Sequence, residues 1–247
     1  MKESPKLVGV GASAGGLDAL IEFFKAVPGN SDSAFLVIQH LSPDHESMMH
    51  ELLAPHVKLP VVEASDGMTL GGGAIYLCPP GVVARVDQLT LELEERPMDQ
   101  SVILIIDILF ESMGETLGAS CAGVVLSGTG SDGTKGVLGI ERGGGIVAAQ
   151  SPETADFTGM PESAIATGKC HITAPPGKLW GEIEDYGAKI GAESAKEAPQ
   201  SAPQSTGGHE SLPFESDDYA KIFRYLEGRF DLDFSLYRIK SVSRRLN

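Results

Sequence analysis

Residues 7–16 read "LVGVGASAGG". A short apolar run enters a turn of small residues, and "LDALIEFFKAV" follows at once. The pattern predicts a buried strand, a tight turn and a helix stopped by Pro28 and Gly29. Leu17, Leu20, Ile21 and Phe24 would share one helical face. The turn fits two motifs. Gly9, Gly11 and Ala14 match G-x-G-x-x-A, a dinucleotide cradle. Gly11, Ser13 and Gly15 match G-x-S-x-G, a turn that presents a nucleophilic serine.

The next strand separates the two. A dinucleotide site requires an Asp or Glu at its end for the ribose hydroxyls. "AFLVIQH" ends instead in Gln39 and His40. A serine needs a base within hydrogen-bond reach, and in a parallel sheet the end of the neighbouring strand opens on the same edge. A strand-end histidine bonded to a backbone carbonyl is the plainer reading of His40 taken alone. A third segment tips the balance. "VVLSGTGSDGTKG" is a buried strand opening into a glycine-rich turn around Asp132. Its carboxylate can orient His40 and stabilise the charged imidazole. An ordinary Asp-Gly turn is the competing reading. A phosphate loop is not, because Thr134-Lys135 inverts the Lys-then-Ser/Thr order. Ser13, His40 and Asp132 thus form a candidate catalytic triad in the chain order Ser…His…Asp, unlike the Ser…Asp…His of α/β-hydrolases.

Other candidates are weaker. His45, His50 and His56 follow at steps of five and six, which do not line one helix face as metal ligands would. Asp107, inside an apolar helical run, is a rival acid but reads first as a structural residue. Cys78 precedes a proline and has no basic neighbour to activate it.

The rest of the 247-residue chain fits an α/β domain with extra material. Continuous apolar strands alternating with helices predict a doubly wound, mostly parallel sheet covered on both faces. Ser42 and Pro43 would open a helix through "DHESMMHELLAPH". "AIYLCPPGVVARVDQLTLELEE" predicts an antiparallel ribbon attached to the main sheet, and "SVILIIDILFESMGETLG" a helix. From Ala192 a Pro-, Gln-, Ser- and Gly-rich stretch reads as a linker, and a short helical tail follows. The expected organisation is a catalytic domain over 1–191, a flexible linker over 192–213 and a truncated second domain over 214–247.

A formal net charge of −15 opposes nucleic-acid binding. The three cysteines are dispersed, which points to a reducing cytoplasm rather than a disulfide framework. The N-terminus does not read as a signal peptide, and no apolar run reaches the ~20 residues of a membrane helix.

"GVGASAGGLDAL", "VIQHLSPDH", "VVLSGTGSDGTKGV" and "DFTGMPESAIATG", in that order between about Lys6 and Ile190, resemble the catalytic domain of CheB-type chemotaxis protein-glutamate methylesterases. The resemblance implies an α/β serine hydrolase with Ser13, His40 and Asp132 as triad and no metal or organic cofactor. It implies an oxyanion hole from the backbone amides of His40 and Thr129. Methionine is frequent at the latter position, and a backbone donor tolerates the change. It implies partners too: methylated cytoplasmic helices of chemoreceptors, with no insertion into the membrane. The typical family member has a phosphorylated receiver domain in front; here the first strand begins near Leu7. "DDYAKIFRYLEGRFDLDFSLYRIKSVSRRLN" is similar to the opening of the CheR-type chemotaxis methyltransferase. That implies an esterase–transferase fusion whose remaining transferase lies beyond residue 247.

Overall fold

The computed structural model describes residues 6–40, 48–96 and 103–197. The chain runs β1 (Leu7–Ala12), α1 (Gly16–Ala26), β2 (Ala34–Gln39), α2 (Met49–Leu53), β3 (Val61–Glu63), β4 (Ala74–Leu77), β5 (Val82–Asp87) and β6 (Thr90–Glu95). It continues through α3 (Ile105–Leu117), β7 (Cys121–Val125), α4 (Thr134–Arg142), β8 (Ile146–Gln150), α5 (Gly159–Ala166), β9 (Ile172–Ala174) and α6 (Pro176–Glu197). Seven strands pair in parallel in the order β3-β4-β2-β1-β7-β8-β9. The sheet winds outward from β1 through β2 and β4, then restarts at β7 and winds the other way. The reversal lies between β1 and β7, where open α/β sheets hold ligands at the carboxyl ends of their strands.

Every residue of β1 is buried, which requires cover on both faces. Val8, Val10 and Ala12 belong to the core under α1 and α6, where Phe23, Phe24, Phe35 and Trp180 meet edge to face with centroids 5.0–6.3 Å apart. Leu7 belongs to the opposite core, with Ile106, Phe110 and Met113 of α3. Gly9 and Gly11 alternate with Leu7 on that face. A Cβ on Gly9 would lie 2.7 Å from Met113 Sδ, and one on Gly11 2.6 Å from Ile106 Cγ2. These glycines therefore let α3 press onto the central strand. Strand propensity alone favours Gly11→Val. Packing opposes it, and the variant is expected to lose about 1–3 kcal/mol in urea denaturation. A gain in stability would contradict this account of the contact.

Several sequence expectations shift in detail. The buried face of α1 is Gly16, Ala19, Leu20, Phe23 and Phe24, with Leu17 and Ile21 at its margin. The ribbon is a separate two-stranded sheet, β5 with β6, while "AIYL" is β4 of the main sheet. The helix start at Ser42-Pro43 lies outside the described residues, as do the tail over 214–247 and most of the linker. The helix α6 runs on to Glu197, within the stretch whose composition reads as linker. Among the described residues, no helix is long and apolar enough to cross a membrane.

Candidate active site

The register of the sheet assembles the site. Ser13 and His40 each follow the β1–β2 pair Ala12↔Gln39 by one residue. They leave adjacent strands side by side, where strand spacing is about 4.8 Å. The neighbour of β1 on its other side is β7, and Ser13 N–H donates to Ser127 O at 3.0 Å. Beyond Ser127 the glycine-rich loop carries Asp132 back toward His40. His40 Nε2 lies 2.8 Å from Asp132 Oδ2.

A carboxylate only accepts hydrogen bonds, so Nε2 of a neutral His40 carries the proton. That leaves Nδ1 with the lone pair a general base needs. The His40 side chain is 27% exposed and Asp132 2%, so the imidazole is reachable while the carboxylate beside it is shielded. Ser13 is half-buried. Among the described residues its Oγ makes no hydrogen bond, and the hydrogen bond of the trio is the one between His40 and Asp132. Catalytic contacts of this kind often tighten only around substrate.

Asp132 is held from several sides. Oδ2 also accepts Ile106 N–H at 3.0 Å, and Oδ1 accepts Asp107 N–H at 2.9 Å and Gly133 N–H at 2.8 Å. Ile106 and Asp107 lie in the first turn of α3, whose own N-cap, Leu104, supplies no side-chain cap. Asp132 thus caps a helix from a distant part of the chain, at the end whose dipole favours a negative charge. The buried carboxylate has four donors and leaves no oxygen orphaned.

The turn around Ser13 is tight, but its backbone is not strained at the serine. Among the described residues, Gln88 is the single non-glycine with positive φ. The left-handed residue here is Gly15, at φ +67°, which is the N-cap of α1. A Cβ there would lie 2.8 Å from both Asp156 Cβ and Ser127 Oγ. Gly128 comes equally close, with a Cβ there 2.9 Å from Ser13 Cβ. The α1 N-terminus begins three residues after Ser13, so its dipole favours negative charge forming near the serine.

Two residues that sequence reasoning did not single out brace this turn. Ser127 Oγ donates to Ala14 O at 2.9 Å and accepts Phe157 N–H at 3.1 Å. Ser127 N–H donates to Gln150 Oε1 at 2.8 Å, and Gln150 Nε2 donates to Thr154 O at 2.9 Å. Ser127 and Gln150 are polar residues at strand ends, a signal the sequence carried without naming their partners. In the loop itself, Gly128 N–H donates to Phe157 O. Thr129 is exposed, and no described residue accepts its N–H.

The other candidates fall elsewhere. Asp107 is buried in α3 and caps α4 through Gly136 N–H at 2.8 Å, which fits its structural reading. His50 Nε2 bonds Val61 O at 3.2 Å. His45 lies outside the described residues. Burial pushes the thiols of Cys78 and Cys121 up to about 12 and that of Cys170 up to about 11. Thiolates are therefore scarce at neutral pH. No group of three or more His, Cys, Asp or Glu among the described residues could hold a metal ion.

Comparison with known proteins gives one family. A family model described as CheB methylesterase matches residues 8–183. The chain is 36% identical over 181 residues to the "Protein-glutamate methylesterase/protein-glutamine glutaminase 1" of Myxococcus xanthus, covering 72% of this chain and 52% of that protein. It is 46% identical over 121 residues to an "Uncharacterized 104.1 kDa protein in hypE 3'region" of Rhodobacter capsulatus, covering 49% of this chain and 12% of that protein. The chain thus spans about half of the first relative and a small part of the second. Among solved structures it resembles the Thermotoga maritima CheB methylesterase catalytic domain, with a TM-score of 0.66 at 26% identity. That match covers 74% of this chain and 99% of the other.

Proposed function

The chain belongs to the CheB methylesterase family, and from that premise we propose that Ser13, His40 and Asp132 are the catalytic triad of a protein-glutamate methylesterase. The substrate is a γ-glutamyl methyl ester on a cytoplasmic helix of a chemoreceptor. The observation that carries the reading is the 2.8 Å contact of His40 Nε2 with Asp132 beside a serine set in register with His40. Ser13 Oγ attacks the ester carbonyl as His40 Nδ1 takes its proton. Asp132 keeps the Nε2 proton in place and stabilises the imidazolium. The oxyanion is met by the backbone amides of Thr129 and His40, and preorganised donors of this kind often supply more of the rate gain in acyl transfer than any other effect. The imidazolium then protonates the departing methoxide and methanol leaves. Water, activated by Nδ1, hydrolyses the acyl-enzyme and returns the glutamate.

The catalytic domain in this reading is 1–191, in the cytoplasm. A linker within 192–213, beyond the end of α6 at Glu197, joins it to the start of a CheR-type methyltransferase over 214–247. A linker of that kind would hold both activities near one receptor and raise their local concentration. The name of the Myxococcus relative favours a second activity at the same site, deamidation of receptor glutamine with ammonia as the leaving group. A purified methylated receptor and its glutamine form, each incubated with the protein, are expected to release methanol and ammonia respectively. Release of neither, with a folded protein and a receptor processed by another esterase, would sink the reading.

A further inference from the structure

Asp107 and Asp132 are the buried acids among the described residues. They form an exchange. Asp132 precedes α4 and holds the first turn of α3; Asp107, in the first turn of α3, accepts Gly136 N–H from the first turn of α4. Neither helix is capped by the side chain of its own N-cap residue, Leu104 or Gly133. The two helices touch closely here: a Cβ on Gly136 would lie 3.0 Å from Asp107 Cα. The backbone amide of Asp107 is itself one of the four donors to Asp132.

The two carboxyls are not equivalent. Asp132 accepts four hydrogen bonds, one of them from the imidazole. Asp107 accepts one, at Oδ1. Its Oδ2 is buried without a hydrogen-bond partner among the described residues. A negative oxygen there is stripped of water with no donor in return, whereas an uncharged hydroxyl is far less costly to bury.

We propose that Asp107 is a positioning residue for the triad and works as the neutral acid. It ties α3 to α4 so that Asp132 meets His40, and it leaves Asp132 as the single negative charge in the pair. Burial raises the Asp107 pKa. The Gly136 amide opposes that rise, the neighbouring Asp132 charge adds to it, and the more weakly placed amides of Lys135 and Gly133 oppose it. The other ionisable side chains on the elements packed against α3 are Arg85 and Asp87 of β5, Lys135, Glu141 and Arg142 of α4, and the Cys121 thiol of β7; β1 and β2 have none.

The inference rests on the triad reading, and its test uses methanol release across pH. Asp107→Asn is isosteric and uncharged. It is expected to keep kcat within about threefold of wild type, with the acid limb of kcat/KM unmoved. Asp107→Ala removes the tie to α4 and is expected to lower kcat by about tenfold or more with KM little changed. An acid limb that moves to lower pH in Asp107→Asn would report a lost negative charge near His40 and overturn the neutral form. Wild-type kcat in Asp107→Ala would overturn the positioning role. Should the alanine variant fail to fold, infrared difference spectra of wild type against Asp107→Asn still decide. The band of an un-ionised carboxylic acid, present at neutral pH in wild type alone, is expected; its absence overturns the proposal. A wild-type protein inert on the ester would instead sink the esterase reading, and the infrared band is read independently of activity.

Discussion

Ser13→Ala is expected to reduce methanol release from a methylated receptor by about 10⁵–10⁶-fold, because removing the nucleophile of a triad costs nearly as much as removing all three members. The remaining rate would come from water attacking an ester still polarised by backbone donors. Stability should hardly change. Ser13 is half-buried and its Oγ makes no hydrogen bond among the described residues, so alanine leaves no polar partner stranded. Substitutions of that kind usually fall within about 0.5 kcal/mol. Alanine also keeps the Ser13 Cβ, the atom that leaves room for glycine alone at Gly128, so the packing of the turn is unchanged. Chemical denaturation and methanol assay on one preparation settle both halves. Wild-type turnover in this variant would remove Ser13 from the mechanism.

Asp132→Asn should lose activity by about 10⁴-fold, and here, unlike at Ser13, it should also destabilise the fold. Both carboxylate oxygens face donors: Asp107 and Gly133 N–H at Oδ1, Ile106 N–H and His40 Nε2 at Oδ2. An amide keeps one acceptor and turns an NH₂ toward the other pair. With the oxygen at the Oδ1 position, the NH₂ meets Ile106 N–H and strands it, at a cost of about 1–3 kcal/mol. His40 can then only accept at Nε2. Its proton moves to Nδ1, and the base toward Ser13 is lost. Loss of activity together with a lower denaturation midpoint is the expected signature. An Asn variant as stable as Ser13→Ala would contradict the described cap on α3.

Most strands and the turns at Ser13 and Asp132 were legible because each is a local pattern: an apolar run, then small residues, then a helix. His40 stood where a ribose-binding acid belongs, and Asp132 sat in a glycine-rich turn after a buried strand. The role of Gly9 and Gly11 was not legible, since a motif match does not say which face of the strand they occupy. They serve α3, more than ninety residues away. The α1 stripe was displaced because Leu17 and Ile21 fit the helical period as well as Ala19 and Phe23 do. Strand β3 is three residues long, at the edge of the sheet, too short to leave a period. The exchange between Asp107 and Asp132 was invisible for a different reason. Its bonds join backbone amides to carboxylates across 25 to 29 residues, and every residue has an amide.

The proposed nucleophile and base come from neighbouring strands early in the chain, but the proposed acid arrives only with the loop after β7, 92 residues beyond His40. During synthesis, β1 and β2 can pair before α3 and β7 have emerged. A nascent chain at that stage has a serine beside a histidine whose tautomer nothing holds. Closing the remaining loops is slow compared with forming local helices. On the proposed triad, competence requires β7 to pair with β1 so that its loop brings Asp132 to His40. Esterase activity would then serve as a clock for that last pairing, whereas helix content rises earlier and says little about it.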